Sequence, residues 1–192
     1  EARVASLQAR IQPHFLFNSM NTIASLIAID PERAEDAVLD LSSLFRASLR
    51  NASDRLIPLK EELQLCRQYL DLESLRLGDR LHVNWSLDDE ASEQGIPPLT
   101  LQPLLENAVY HGIQPLTAGG TIEVKTETRG DWVYVLIRNP MPNETTNLAK
   151  GHQMALENIH ARISAIYDQT AVLKTSQNQQ WFTVTLRLPR QT

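Results

Sequence analysis

The chain has 192 residues, 42% hydrophobic and 21% charged, which suits one large or two small globular domains. Its formal net charge of −5, without a lysine and arginine cluster, argues against direct nucleic-acid binding. Cys66 is the single cysteine, so an intrachain disulfide is excluded and a buried thiol in a reducing compartment is expected.

The first part of the chain is predicted to be entirely helical. Apolar residues recur at three- and four-residue spacing from residue 2 to about residue 28, with a bend expected at Pro13. Asp30 and Pro31 predict the start of a second helix, which runs to about Leu49. Pro58 opens a third helix over residues 59–77, and Gly78 ends it.

After residue 79 the pattern changes to alternating strands. Period-two alternation predicts strands over residues 81–87, 121–128, 132–138, 171–175 and 181–188, of which the second and third form a hairpin. Two helices are predicted between strands, one from the prolines at 97 and 98 to a closing Gly112, and one over residues 153–167. The chain is therefore predicted to be an α+β protein with a mixed sheet covered by helices on one face.

The most distinctive stretch is Gln-Pro-His-Phe-Leu-Phe-Asn at residues 12–18. His14 and Asn18 are four residues apart and share one face of a helix, whereas Phe15 and Phe17 are expected to be buried. An imidazole beside a carboxamide on an element anchored by aromatic residues is typical of a nucleophile. The alternative is that His14 is a polar break on an amphipathic helix.

A second candidate site lies in the helix that ends at Gly112. Glu106 and Asn107 place two oxygen-bearing side chains side by side on an otherwise apolar helix. Mg²⁺ prefers oxygen ligands, and a nucleoside triphosphate supplies several of them, so this step is a candidate magnesium site. The alternative is an ordinary solvated Glu-Asn step with a capping glycine.

Together the two segments resemble one family over essentially the whole chain. Residues 12–18 are similar to the phosphoacceptor motif of sensor histidine kinases of the LytS and AlgZ type, within the GHKL ATPase superfamily, and residues 98–112 are similar to its N box. The resemblance implies an antiparallel helical dimerisation and phosphoacceptor module at residues 1–79. It also implies a GHKL (Bergerat-type) ATP-binding α/β sandwich at residues 80–192.

The resemblance also implies roles for individual residues. His14 would attack the γ-phosphate of ATP, Asn18 would orient the imidazole or a water, and Glu106 would polarise or deprotonate a neighbouring group. Asn107 would bind Mg²⁺. Further nucleotide-binding residues are then expected at His111, Gly112, Asn139, Lys150 and Gly151.

The partners that the resemblance implies are a second copy of the chain and a response regulator. The phosphoryl group would pass to an aspartate of that regulator, which in this family often carries a LytTR DNA-binding domain. The chain begins in helical sequence without an initiating Met, and the family usually has an N-terminal membrane region. We therefore expect the chain to be the cytoplasmic portion of a longer inner-membrane protein.

The sequence departs from the family pattern where the nucleotide is expected. Asn139 stands in place of the aspartate that accepts a hydrogen bond from adenine, and prolines follow it instead of glycines. Gly151 is the one remaining glycine of the second glycine-rich segment, and Tyr110 replaces a basic residue. Lys150 and Arg162 are the candidate replacement cations.

Two functional hypotheses follow from these departures. The first is a histidine kinase that autophosphorylates with atypical nucleotide binding. The second is a nucleotide-impaired pseudokinase that acts as a dimeric scaffold or phosphatase for its regulator. A third, an ATPase that closes a helical clamp, leaves His14 without a role.

Overall fold

The computed structural model describes residues 13–49, 56–142, 150–178 and 180–191, and it has an α+β fold. The predicted bend at Pro13 involves residues that lie outside these ranges. Five α-helices are present in the described residues: α1 (Pro13–Leu26), α2 (Pro31–Leu49), α3 (Leu59–Leu77), α4 (Gln102–Asn107) and α5 (Lys150–Ile166).

Helices α1, α2 and α3 pack against one another, as the apolar periodicity predicts. The Arg33 N–H donates to Asp30 Oδ1 over 3.1 Å, which confirms Asp30 as the cap of α2. Helix α3 has the predicted bounds because Pro58 precedes it and Gly78, with a φ of 56°, ends it. Its Cys66 is fully buried, and burial raises the pKa of the thiol, so the expected inert thiol is confirmed.

The described strands are β1 (Ile57–Pro58), β2 (Leu81–Ser86), β3 (Gly95–Ile96), β4 (Gly120–Arg129), β5 (Trp132–Pro140), β6 (Val172–Gln177) and β7 (Trp181–Pro189). The larger sheet has five of them, in the order β2-β4-β5-β7-β6. β2 and β4 are parallel and the other neighbouring pairs are antiparallel, so the predicted mixed sheet is confirmed. Two short strands, β1 and β3, form a separate antiparallel pair that the sequence analysis did not predict.

The parallel pairing of β2 and β4 requires a crossover connection, and α4 lies in that connection. The predicted helix from residue 97 to residue 112 is wrong at both ends. α4 begins at Gln102, and a π-helical turn over Ala108–Ile113 continues it, so Gly112 lies inside that turn and does not close the helix.

One continuous hydrophobic core joins the helices to the inner face of the sheet. The division into modules at residues 1–79 and 80–192 stays a prediction. Among the described helices, none combines the length and apolarity needed to cross a lipid bilayer.

Candidate functional site

A cleft at the junction of α1, α3 and α4 brings the two sequence motifs together. His14 and Asn18 approach it from α1, and Glu106 approaches it from α4. The three residues predicted to be catalytic therefore lie around one space, although they come from the two halves of the chain. The described residues that line the cleft are His14, Phe15, Asn18, Tyr69, Glu73, Arg76, Glu106, Val109, Tyr110 and Gln114.

Helix α1 exposes His14 to solvent, and the next residue packs against α3. Phe15 is 8% exposed and packs on Tyr69 with ring centroids 5.0 Å apart, which anchors the start of α1 to α3. The predicted burial of Phe17 is wrong, because its side chain is 65% exposed. Phe17 lies three residues after His14 and shares its solvent-facing side of the helix.

The Asn18 amide contacts the imidazole directly. Its Nδ2 lies 3.0 Å from His14 Nδ1 and 3.4 Å from His14 Nε2, so its N–H groups are within reach of both ring nitrogens. Rotation of the amide by 180° would present Oδ1, which accepts from Nδ1–H and leaves the Nε2 lone pair for attack. Asn18 is therefore placed to orient the His14 ring.

Glu106 and Glu73 are neighbouring carboxyls in the wall of the cleft. Burial, together with the nearby negative charge of Glu73, raises the pKa of Glu106 to about 7, while its Oε1 accepts a hydrogen bond from Gln102 Nε2 over 3.0 Å. Glu73 is 4% exposed and pairs with Arg76. Burial raises the pKa of Glu73 as well, and the charges of Arg76 and His14 oppose that rise.

The start of α4 is held by Glu62, a residue that the sequence analysis did not single out. This fully buried carboxylate accepts from the backbone N–H groups of Leu99 and Leu101 over 2.9 Å each, and from Gln102 over 3.4 Å. These amides belong to the unpaired groups at a helix start. The sequence does contain a signal for this role, because Glu62 lies three residues after Leu59, on the apolar face of α3.

Arg162 joins the same anchor from α5. One of its Nη atoms donates to the Leu99 carbonyl over 2.9 Å and to Thr100 Oγ1 over 2.8 Å. Leu99 has a φ of 57°, which is unfavourable for a side chain of this size. The hydrogen bonds from its N–H to Glu62 and from Arg162 to its carbonyl stabilise this strained backbone. The guanidinium of Arg162 thus lies at the opposite end of α4 from Asn107, and its role as a replacement cation stays a prediction.

The end of α4 brings four of the predicted nucleotide-binding residues together. The Asn139 side chain packs on Gly112, where an added Cβ would lie 2.3 Å from Asn139 Nδ2, so only glycine fits. Asn139 is 5% exposed and its Nδ2 donates to the Pro140 carbonyl over 2.9 Å. His111 lies in the same turn, and burial lowers its pKa. Asn107 Nδ2 is buried and has no hydrogen-bond partner in the described ranges.

The unpartnered amide of Asn107 is suited to a magnesium–nucleotide complex. Its Nδ2 calls for an acceptor such as a phosphate oxygen, and its oxygen is a ligand of the kind that Mg²⁺ takes together with phosphates and water. Within the described ranges, no group of three or more His, Cys, Asp or Glu residues could hold a metal ion by itself. Lys150 and Gly151 open α5, directly after residues 143–149, which are outside the described ranges.

Comparison with known proteins gives matches to histidine kinases over both parts of the chain. A family described as "Histidine kinase" matches residues 2–81. The Sensor protein LytS of Oceanobacillus iheyensis is 34% identical over 202 residues, covering 98% of this chain and 34% of its own length. The chain belongs to the LytS-type sensor histidine kinase family.

A second relative is the Sensor histidine kinase/phosphatase LytS of Staphylococcus aureus strain Mu50, which is 31% identical over 91% of this chain and 32% of its own length. This LytS-type chain thus spans about a third of the length of the curated relatives it matches. The crystal structure of ShkA in complex with AMPPNP superimposes with a TM-score of 0.52, at 17% identity, over 99% of this chain and 45% of that chain. The predicted α+β fold of the GHKL type is confirmed.

Proposed function

We propose that this chain is the catalytic portion of a sensor histidine kinase, which autophosphorylates His14 from Mg-ATP and passes the phosphoryl group to an aspartate of a response regulator. The observation that carries the proposal is the single cleft lined by His14, Asn18 and Glu106. A nucleophile, an amide that orients its ring and a carboxylate are groups suited to attack on a γ-phosphate.

In this mechanism the lone pair of one His14 ring nitrogen attacks the γ-phosphorus. The bond from that phosphorus to the oxygen bridging the β- and γ-phosphates breaks, and ADP leaves with the electron pair. The proton on the other ring nitrogen is lost to water or to the Glu106 carboxylate, which lines the same cleft. Asn107 would bind Mg²⁺, which supplies charge neutralisation at the phosphates.

Asn139 has the chemistry needed at the adenine-binding position despite the change from aspartate. Its Nδ2 donates to the Pro140 carbonyl, which fixes the orientation of the amide and leaves Oδ1 as the acceptor. An amide oxygen accepts the bond from the adenine amine without charge assistance, so we expect weaker ATP binding than an aspartate gives. The AMPPNP complex of ShkA supports a nucleotide in this fold.

Exposed apolar residues of α1, α2 and the loop between them support dimerisation through the helical module at residues 1–79. Their side chains are between 50% and 80% exposed, which leaves them for a second copy of the chain. These residues are Phe17, Met20, Ile27, Ile29, Val38 and Leu39. The response regulator, with or without a LytTR domain, and an N-terminal membrane region remain parts of the proposal.

The labelling experiment tests the proposal directly. Purified chain incubated with γ-labelled ATP and Mg²⁺ is expected to gain acid-labile label that moves to added regulator. His14→Gln and Asn107→Asp should abolish it, and His160→Gln, a change on α5, should not. A wild-type chain that stays unlabelled while it binds the regulator would overturn autophosphorylation.

The second candidate function is a phosphatase or scaffold for the regulator. The contact of Asn18 with His14 favours it, because an amide one turn after the histidine is also placed to orient a water. The name of the Staphylococcus aureus relative includes both activities. If calorimetry detects no binding at millimolar ATP and the chain dephosphorylates phosphorylated regulator in an Asn18-dependent way, this function replaces the kinase.

A further inference from the structure

The cleft contains one charged pair to which the mechanism above gives no role. Arg76 is the one lysine or arginine among the described residues that line the cleft, and Glu73 beside it is almost fully buried. Tyr110 also lines the cleft, but it carries no charge. Any positive side-chain charge that the described lining residues offer to a phosphate, apart from His14 itself, therefore comes from Arg76.

Glu73 holds the guanidinium of Arg76 by one edge. Arg76 Nε donates to Glu73 Oε2 over 3.1 Å, and Arg76 Nη2 donates to the same oxygen. Nη1 makes no hydrogen bond with any described residue, and the Arg76 side chain is 24% exposed. The planar fork thus has a fixed orientation and a free edge, the geometry with which arginine binds phosphoryl oxygens.

Phosphoryl transfer needs positive charge at the moving group. The transferred group carries negative charge on three oxygens, and catalysis consists mostly of positioning and neutralising that charge. Mg²⁺ at Asn107 would neutralise charge on the ATP side. At His14, where the phosphoryl group arrives, Asn18 and Glu106 are uncharged and acidic respectively, which leaves the arriving group in need of a cation.

We propose that Arg76 is a catalytic residue that binds the phosphoryl group as it moves to His14 and after it arrives, and that Glu73 is its positioning residue. The inference rests on the proposed autophosphorylation of His14. The bonds made and broken are those given above: the N–P bond forms, the bridging P–O bond breaks, and ADP carries away the electron pair. Arg76 donates hydrogen bonds to the phosphoryl oxygens and transfers no proton.

The first test does not depend on kinase activity. Phosphoramidate phosphorylates histidines chemically, and the ³¹P resonance of phospho-His14 is identified as the one that His14→Gln lacks. A guanidinium in contact lowers the pH at which this phosphoryl group titrates, so Arg76→Gln should raise the midpoint of the titration by about 0.5–1 pH unit. Arg67→Gln, which removes an exposed arginine from the same helix, should leave it unchanged.

Removal of Arg76 alone leaves Glu73 buried without its partner and can destabilise the fold, so the test needs a variant without this unpaired carboxyl. The double variant Glu73→Gln/Arg76→Gln removes the pair together, and Arg76→Lys keeps the charge but not the fork. Loss of the Glu73 carboxyl in the double variant lowers the midpoint, so the double variant is compared with Glu73→Gln, relative to which its midpoint should be higher by about 0.5–1 pH unit. Arg76→Lys should show a smaller shift than Arg76→Gln. Equal midpoints in Glu73→Gln and in the double variant would overturn the role of Arg76.

The second test measures catalysis. At saturating Mg-ATP, Arg76→Gln should slow single-turnover labelling about 100-fold, because an arginine at the transferred group typically gives at least this factor. The dissociation constant for ATP should stay within about twofold, since Arg76 acts on the moving group. Glu73→Gln should slow labelling by about tenfold at unchanged ATP affinity, which a purely structural role would not do.

The two tests separate the failure of this inference from that of the proposed function. A wild-type chain that never labels from ATP, but whose phospho-His14 titration depends on Arg76, refutes the kinase and keeps the phosphoryl-binding role. A wild-type chain that labels as fast as Arg76→Gln refutes the inference alone.

Discussion

The two ends of α4 differ in how their polar groups are paired. At the start, the backbone N–H groups of Leu99, Leu101 and Gln102 all donate to the Glu62 carboxylate. At the end, the side-chain Nδ2 of Asn107 is buried without a partner in the described ranges. Buried polar groups in folded proteins almost always have partners, and the exceptions call for an explanation. At the start of α4 the backbone N–H groups have their acceptor, although the side-chain Oε1 of Gln102 is also buried without a partner in the described ranges, so this end has the character of a structural anchor. The unsatisfied end has the character of a ligand site, and it lies beside Glu106.

If the start of α4 is an anchor, its removal should give the largest loss of stability. Glu62→Ala leaves three helix-start amides unpaired and opens a cavity, so we expect the free energy of unfolding to fall by about 3–5 kcal/mol. Glu62→Gln, which keeps an acceptor oxygen, should lose less. Urea unfolding followed by circular dichroism measures both, with Glu61→Gln as the exposed control on the same helix.

A change at the end of α4 should affect ATP binding and not stability. Asn107→Ala removes a buried amide that lacks a partner, so we expect unchanged or slightly higher stability. ATP affinity measured by calorimetry with Mg²⁺ should fall about 100-fold, which is about 2.7 kcal/mol. A variant that loses stability and keeps its ATP affinity would reverse the roles of the two ends.

The pH dependence of stability gives a finer comparison. Burial raises the pKa of Glu106 to about 7 and raises the pKa of Glu62 as well, so both carboxyls hold protons in the folded chain at pH values where the unfolded chain has released them. The free energy of unfolding should therefore fall as the pH rises from about 5 to about 8, by about 2–3 kcal/mol through Glu106. Urea unfolding at both pH values should show a smaller fall in Glu106→Gln.

That prediction fails if the wild type and Glu106→Gln lose the same stability between the two pH values. In that case the dependence would belong to the other buried carboxyls, and Glu62→Gln measured in the same way would identify whether the start of α4 carries it.

The smallest expected effect concerns the packing of the π-helical turn. Gly112→Ala places a methyl group against Asn139, so we expect a loss of about 1–2 kcal/mol in thermal unfolding. Asn139→Ala in the same chain removes the nearest atoms and should recover part of the loss. Equal losses in the single and double variants would mean that the strain lies elsewhere in the turn.

Local patterns were sufficient for much of the fold. The bounds of α3 follow from Pro58 and Gly78, and the hairpin of β4 and β5 follows from alternation around a turn. His14, Asn18 and Glu106 were identified from motifs, and the structure brings them to one cleft. The sequence analysis therefore identified the groups of the site, although not their arrangement.

The features that it missed depend on contacts between residues far apart in the chain. Glu62 accepts hydrogen bonds from Leu99 and Leu101, which precede α4. The periodicity of α3 describes only the helix on which Glu62 lies and cannot predict these distant partners. The β1–β3 pair has two residues in each strand, too few for alternation. Glu73 and Arg76 are an ordinary i, i+3 pair in sequence, and only the position of α1 makes them part of a site.

The crossover between β2 and β4 has a consequence for the order of folding. Arg80 Nη2 donates to the carbonyls of Gln114 and Leu116 over 2.9 and 3.0 Å, and at Gly119 an added Cβ would lie 2.0 Å from the Arg80 carbonyl oxygen. Parallel strands pair only after the chain between them has closed into a loop, which is a slow step. We therefore expect the segment that carries Glu106 and Asn107 to become compact before the edge strand β2 joins the sheet.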